Sequence, residues 1–144
     1  MKAKVKVTLK NNIPKFIARL QGSKLQKYTK LSGKIVKENI QHMLSGPGAG
    51  IPYWDYDLED WHQPSLPGDP PAFRTGELHD SWKIQYENSV NSSSVYVGSD
   101  LGYASSLQYG NRRLEARPYM DDAVERSVPA IQALLQNLWR DIAK

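Results

Sequence analysis

Six of the nine prolines in this 144-residue chain fall between residues 46 and 74, at Pro47, Pro52, Pro64, Pro67, Pro70 and Pro71. Proline lacks an N–H and fixes φ, so neither a helix interior nor a central strand can run through such a stretch. A loop of this length is uncommon in a compact domain and usually marks function or disorder. Simple disorder is a poor fit, because Tyr53, Trp54, Tyr56, Trp61 and Phe73 sit inside it. Aromatic residues on an extended segment are suited to docking on another surface. We read 46–74 as an extended loop or arm that orders against a neighbouring subunit or a partner.

The segment before the prolines has strong periodicity. Ala3, Val5, Val7 and Leu9 alternate with Lys2, Lys4, Lys6 and Thr8, which predicts a strand with one apolar face. Lysines on the other face suit an edge strand; a strand lent to a neighbouring subunit is the alternative. Asn11-Asn12-Ile13-Pro14 predicts a short helix start, with Phe16, Ile17 and Leu20 as its apolar side. Gly22-Ser23 interrupts, and Ser23 can cap a longer helix. There Leu25, Tyr28, Leu31, Ile35, Val36, Ile40, Met43 and Leu44 recur three and four apart, with Lys24, Lys27, Lys30, Lys34 and Lys37 on another side. Gly33 costs such a helix roughly 1 kcal/mol against alanine, which points to a packing contact or a kink. Ser45-Gly46-Pro47 ends it.

After the prolines, Thr75 can cap a helical turn through Asp80. Trp82, Ile84 and Tyr86 alternate as one strand and Val95 and Val97 as another, with a polar turn from Asn88-Ser89 to Ser94, an antiparallel hairpin pattern. A short helix carries Tyr103, Ala104, Leu107 and Tyr109; we expect both tyrosines in the core. Gly110 is placed to end it with a left-handed cap. Pro118 opens the last helix, where Asp121 and Asp122 complement the N-terminal dipole. Ala123, Val124, Ile131, Leu134, Leu135, Leu138, Trp139 and Ile142 give that helix its apolar face, and Pro129 is expected to break or kink it. The sum is one α+β domain over 1–144: a small antiparallel sheet packed against a long N-terminal helix and a C-terminal helix, with a long Pro/aromatic-rich loop.

Composition narrows the function. Hydrophobic residues make up 40% and charged residues 24%, the balance of a globular protein. No run approaches the ~18 apolar residues of a membrane span, and the charged N-terminus lacks the apolar core of a signal peptide. The absence of cysteine removes disulfides, thiolate metal sites and cysteine nucleophiles. Residues 1–40 carry eleven Lys/Arg and one acid, Glu38, a local +10; the other 104 carry eight bases and fourteen acids, a local −6. Such asymmetry marks either nucleic-acid binding or two surfaces that meet when copies assemble.

A catalytic constellation is not legible. Asp55, Asp57, Glu59, Asp60 and His62 faintly follow a calcium loop but lack its glycine and closing glutamate, so we read a solvated or partner-facing acidic loop and expect no metal. His42, His62 and His79 have no evident nucleophile beside them. Gly98-Ser99-Asp100-Leu101-Gly102 is too sparse in glycine for a nucleotide loop. No enzyme and no cofactor is expected.

What rises above background is an ordered series of short motifs. Pro67-Gly68-Asp69-Pro70-Pro71 leads into Thr75-Gly76-Glu77-Leu78, then Ser81-Trp82 opens a strand. Val97-Gly98, Tyr103-Ala104, Gln108-Tyr109-Gly110 and Ala116-Arg117-Pro118-Tyr119-Met120 follow, leading to Ala123. The series resembles the tail-completion, or neck, family of long-tailed bacteriophages, whose members join heads to tails. The resemblance spans nearly the whole chain, its sharp motifs lying in 67–123. Two departures stand out: Phe73-Arg74 replaces the usual apolar-Asp pair, and the aromatic stretch 51–62 is longer than the family pattern.

The resemblance implies a structural virion protein, made in the host cytoplasm and placed at the head–tail junction. Copies would form a ring, a hexamer by the tail's symmetry, with DNA only passing through its channel. The ring would bind the head-closure or connector ring on one side and the tail terminator or tube on the other, with no membrane involved. Lys4, Lys6, Lys24, Lys27, Tyr53, Trp54, Tyr56, Trp61 and Arg117 are the interface candidates. Thr75, Gly76, Leu78, Tyr103, Tyr109, Gly110, Arg117 and Pro118 carry the motif. Arg117, held extended by Pro118, suits either an intersubunit carboxylate or an intrachain strut. A tail terminator of similar size and make-up, and more remotely a basic nucleic-acid-binding module, are the alternatives.

Overall fold

A computed structural model describes residues 2–7, 23–89 and 92–143. Its elements are β1 (Lys2–Val7), α1 (Ser23–Met43), β2 (Tyr53–Asp55), β3 (Asp60–His62), α2 (Glu77–Asp80), β4 (Trp82–Asn88), β5 (Ser93–Ser99), α3 (Ala104–Tyr109) and α4 (Met120–Ala143). The predicted helix start at Asn11–Pro14, with Phe16, Ile17 and Leu20, lies outside the described residues.

β1, β5 and β4 form an antiparallel sheet in that order, so the N-terminal strand is an edge strand paired within its own chain. Register sets Val5 opposite Val95 and Ala3 opposite Val97, and on the other side Ile84 opposite Val97 and Tyr86 opposite Val95. Those register pairs are the alternating apolar positions, and Val95 and Val97 are fully buried beneath α1.

The long helix is the middle of the molecule, meeting β4 and β5 with one side and α4 with another. Val36, Ile40 and Leu44 join Trp82, Val97, Tyr119, Met120 and Ala123 in the main core cluster. Leu25 and Tyr28 meet Leu138 and Ile142 in a second, so α1 and α4 run antiparallel. Each fully buried aliphatic side chain contributes ~1.5–3 kcal/mol. Gly33 lets α1 settle on the sheet: a Cβ there would run into Val95 Cγ2 and lie 3.3 Å from Ile84 Cγ2. The packing reading of that glycine holds. Thr29 and Ser32 are buried too, each hydroxyl donating to the carbonyl four residues back at 2.9 Å, and Asn39 donates to the buried Ser127 hydroxyl at 2.8 Å.

Four expectations are corrected. α4 runs unbroken from Met120 to Ala143 with Pro129 inside it; Pro129 is exposed, so its ring displaces nothing in the core. Tyr103 and Tyr109 are not core residues, being 42% and 62% exposed; the side chains of α3 that turn inward are Ala104 and Gln108. Gly110 has a positive φ of 75° but ψ 174°, an extended glycine conformation rather than a left-handed cap, and a Cβ there would sit 2.8 Å from Ala116 N and Leu114 O. The cap of α2 is Gly76, at φ 84°, not Thr75; the Thr75 hydroxyl accepts from the Glu77 N–H at 3.3 Å.

Candidate interaction surface

The proline-rich segment contains a structured piece that its composition hides. Tyr53–Asp55 and Asp60–His62 pair antiparallel, with Trp54 opposite Trp61 and Tyr53 opposite His62. Both pairs are edge-to-face, with ring centroids 6.0 and 5.6 Å apart, the arrangement the ring quadrupole favours. Glu59 at φ 51° turns the chain back.

Asp55 holds this hairpin. Its side chain is 4% exposed. It accepts from the Asp57 N–H at 3.0 Å and from that of Leu58 at 3.4 Å. Arg74 grips it with two bonds, Nε to Oδ2 at 2.5 Å and Nη2 to Oδ1 at 2.9 Å, and reaches Asp57 at 3.0 Å. Planar guanidinium and carboxylate match as a fork. The guanidinium, helped by the turn N–H groups and opposed by burial, pulls the Asp55 carboxyl down to about 2. Asp55 is therefore an internal strut, while Asp57, Glu59 and Asp60 stay exposed.

The base of the hairpin is tied backbone to backbone. Gly48 and Gly50 donate to the carbonyls of Gln63 and Pro64 at 3.2 and 2.7 Å, and Phe73 donates to Gly46 at 3.0 Å. A Cβ at Gly48 would collide with the Pro64 carbonyl. Ser65, buried, accepts from Arg117 Nη1 at 2.7 Å, and Gly68 donates to the Ala116 carbonyl at 3.0 Å. The segment thus orders against its own chain, and its hairpin presents four aromatics: Tyr56 is 85%, Trp61 67%, Tyr53 45% and Trp54 42% exposed, while Phe73 outside the hairpin is 46% exposed.

The other sequence candidates divide. Lys24 Nζ donates to the Asp141 carbonyl at 2.9 Å, an intrachain contact at the negative end of α4. Lys27 is exposed beside a groove between α1 and β4. Lys4 and Lys6 lie on β1, opposite Tyr96 and Ser94 in register. Arg117 is the strut between loop and helix, its Nε buried with no hydrogen-bond partner. Leu78 packs against the main core, and the Tyr103 hydroxyl donates to Glu77 at 2.8 Å.

Two working residues were missed. Arg74 counted only as a departure from a motif, and its partner lies nineteen residues away. Gln108, buried, accepts with Oε1 from the N–H groups of Tyr119 and Met120 at 3.0 and 2.9 Å, and its Nε2 donates to Asp121 at 3.0 Å. It caps α4 from a distance, and in Gln108-Tyr109-Gly110 it is the glutamine that packs. Only its place in that motif signalled it.

Among the described residues no group of three His, Asp or Glu side chains is gathered to hold a metal ion, and no helix is long and apolar enough to cross a membrane. No protein-family model matches the chain, and neither a curated protein nor a solved structure is significantly similar to it.

Proposed function

We propose that this chain is a structural subunit of the neck of a tailed bacteriophage, acting mechanically rather than catalytically. Copies form a ring, a hexamer by the tail's symmetry, that completes the tail and joins it to the DNA-filled head. The observation that carries the reading is the exposed aromatic hairpin, clamped by Asp55–Arg74 and projecting from a well-packed body. Rigid aromatics already held in place bind a protein surface with little ordering cost, as a subunit that must lock between two rings requires.

The motif series from Pro67 to Ala123 supports the choice of assembly. The two departures from the family pattern are one feature here, since Arg74 is the residue that clamps the lengthened 51–62 segment. Arg117 and Gly68 tie that segment to the start of α4.

The test is electron microscopy of lysates from a phage lacking this gene. DNA-filled heads beside separate tails of normal length are expected. Tails of uncontrolled length would move the protein to the tail-terminator class, and intact infectious particles would overturn the structural reading.

A further inference from the structure

Between the N-terminal half of α1 and the outer edge of β4 runs a groove of about 480 Å³, lined by Gln26, Lys27, Lys30, Leu31, Lys34, Ile84 and Tyr86. Its floor is apolar, with Leu31 and Tyr86 37% and 40% exposed. Its rim is cationic. Lys30 Nζ sits 5.6 Å from the centroid of the Tyr86 ring, and Lys34 Nζ lies 3.7 Å from the exposed Glu38 carboxylate. Among the described residues β4 is the last strand of its sheet, and no described strand covers that side.

The hairpin tip is the complement of this groove. It offers the Trp54–Trp61 pair as apolar surface, with Asp57, Glu59 and Asp60 around it, all exposed. The two surfaces lie at opposite ends of α1. The groove begins at Gln26, whereas the hairpin base is tied to Gly46 and Gly48 just past the helix end. At a rise of ~1.5 Å per residue, Lys30 and Ser45 are roughly 20 Å apart along the axis. A hairpin bound by its base cannot fold back across that distance into its own groove.

We propose that the groove of one copy receives the hairpin tip of the next, Trp54 and Trp61 covering Leu31 and Tyr86 while Asp57, Glu59 and Asp60 face Lys27, Lys30 and Lys34. The contact joins unlike surfaces, so it propagates head to tail and closes into a ring when the rotation per subunit permits. The inference rests on the ring reading above and names the surfaces that make the ring.

The test is charge reversal read as mass in solution, by analytical ultracentrifugation at low salt. One variant carries K27E, K30E and K34E, the other D57K, E59K and D60K; all six side chains are exposed, and circular dichroism checks that each variant is folded. Wild type is expected to associate and each variant alone to weaken by on the order of 100-fold, because facing like charges costs several kcal/mol. Mixing the two variants restores association, since each reversed surface then meets its complement. Wild-type mass in both variants would overturn the groove–hairpin contact and leave the ring to another face. A wild type that stays monomeric at every concentration would overturn the contact as well, while the neck reading is judged separately by the lysate micrographs.

Discussion

Asp55 and Arg74 concentrate the electrostatics of the hairpin in one buried fork. The Asp55 carboxyl stands at about 2 in the fold against an ordinary 3.8, with the Arg74 hydrogen bonds the largest cause. A group depressed in this way stabilises above its unfolded value and loses that contribution as pH falls through its folded value. Asp55→Asn should therefore destabilise the protein at neutral pH, and the gap from wild type should close between about pH 4 and pH 2. Urea unfolding followed by tryptophan fluorescence measures it; a gap unchanged down to pH 2 would refute the clamp. At Gly33 two residue-scale effects oppose each other. Alanine gains about 1 kcal/mol of helix propensity, but its Cβ enters Val95 Cγ2 on a fully buried, β-branched side chain. Overpacking costs ~1–3 kcal/mol, and a valine wedged between sheet and helix has little room to yield. Gly33→Ala is expected to lose about 1 kcal/mol net in denaturant unfolding, with an unchanged m-value.

At the scale of elements, α1 and α4 are an antiparallel pair zipped at both ends, by Val36, Ile40 and Leu44 against Met120 and Ala123, and by Leu25 and Tyr28 against Leu138 and Ile142. The Tyr28 hydroxyl donates to Asp141 at 2.6 Å, which raises its pKa. Pro129 lies in the middle of α4 on its exposed side, where it removes one backbone donor with no packing in return. Pro129→Ala should stabilise the protein by ~1–3 kcal/mol, seen as a higher melting temperature. No change, or a loss, would mean that α4 needs the proline for its shape. The cross-strand tryptophans of β2 and β3 contribute differently. Such pairs stabilise by ~0.2–1 kcal/mol, a small contribution for two large indoles that stay exposed.

At the scale of the whole molecule, charge is polarised. The first forty residues hold +10 of a net +4, and the remainder −6. α1 carries five of the eleven bases, Lys24, Lys27 and Lys30 in its N-terminal half, and the acidic hairpin begins past its other end. Association through those ends should weaken as salt rises from ~0.1 M, where charges are screened over ~10 Å, to ~1 M, where the length is ~3 Å. Sedimentation across that range measures it. Salt-insensitive association would place the contact on an apolar face instead. Duplex DNA binding at moderate salt comparable to the self-association would favour a nucleic-acid role for the lysines.

Period-two and three-to-four spacing marked β1, α1, β4, β5 and α4 directly, and clustered prolines marked where regular structure must stop. These are properties of contiguous residues, set by backbone geometry and by one-sided burial, so the chain's own order reveals them. The Asp55–Arg74 clamp, the capping of α4 by Gln108, the outward tyrosines of α3 and the tolerance of Pro129 depend on which residues meet across long sequence separations. The hairpin within 46–74 was concealed for the same reason. Its strands have three residues each, too short for a period to show, and what holds them is an arginine beyond the last proline of the loop. The groove is the clearest case: three lysines and a leucine on α1 become the wall of a groove only because β4 sets Ile84 and Tyr86 beside them. Local pattern determined the elements; packing between elements decided which side chains were left exposed.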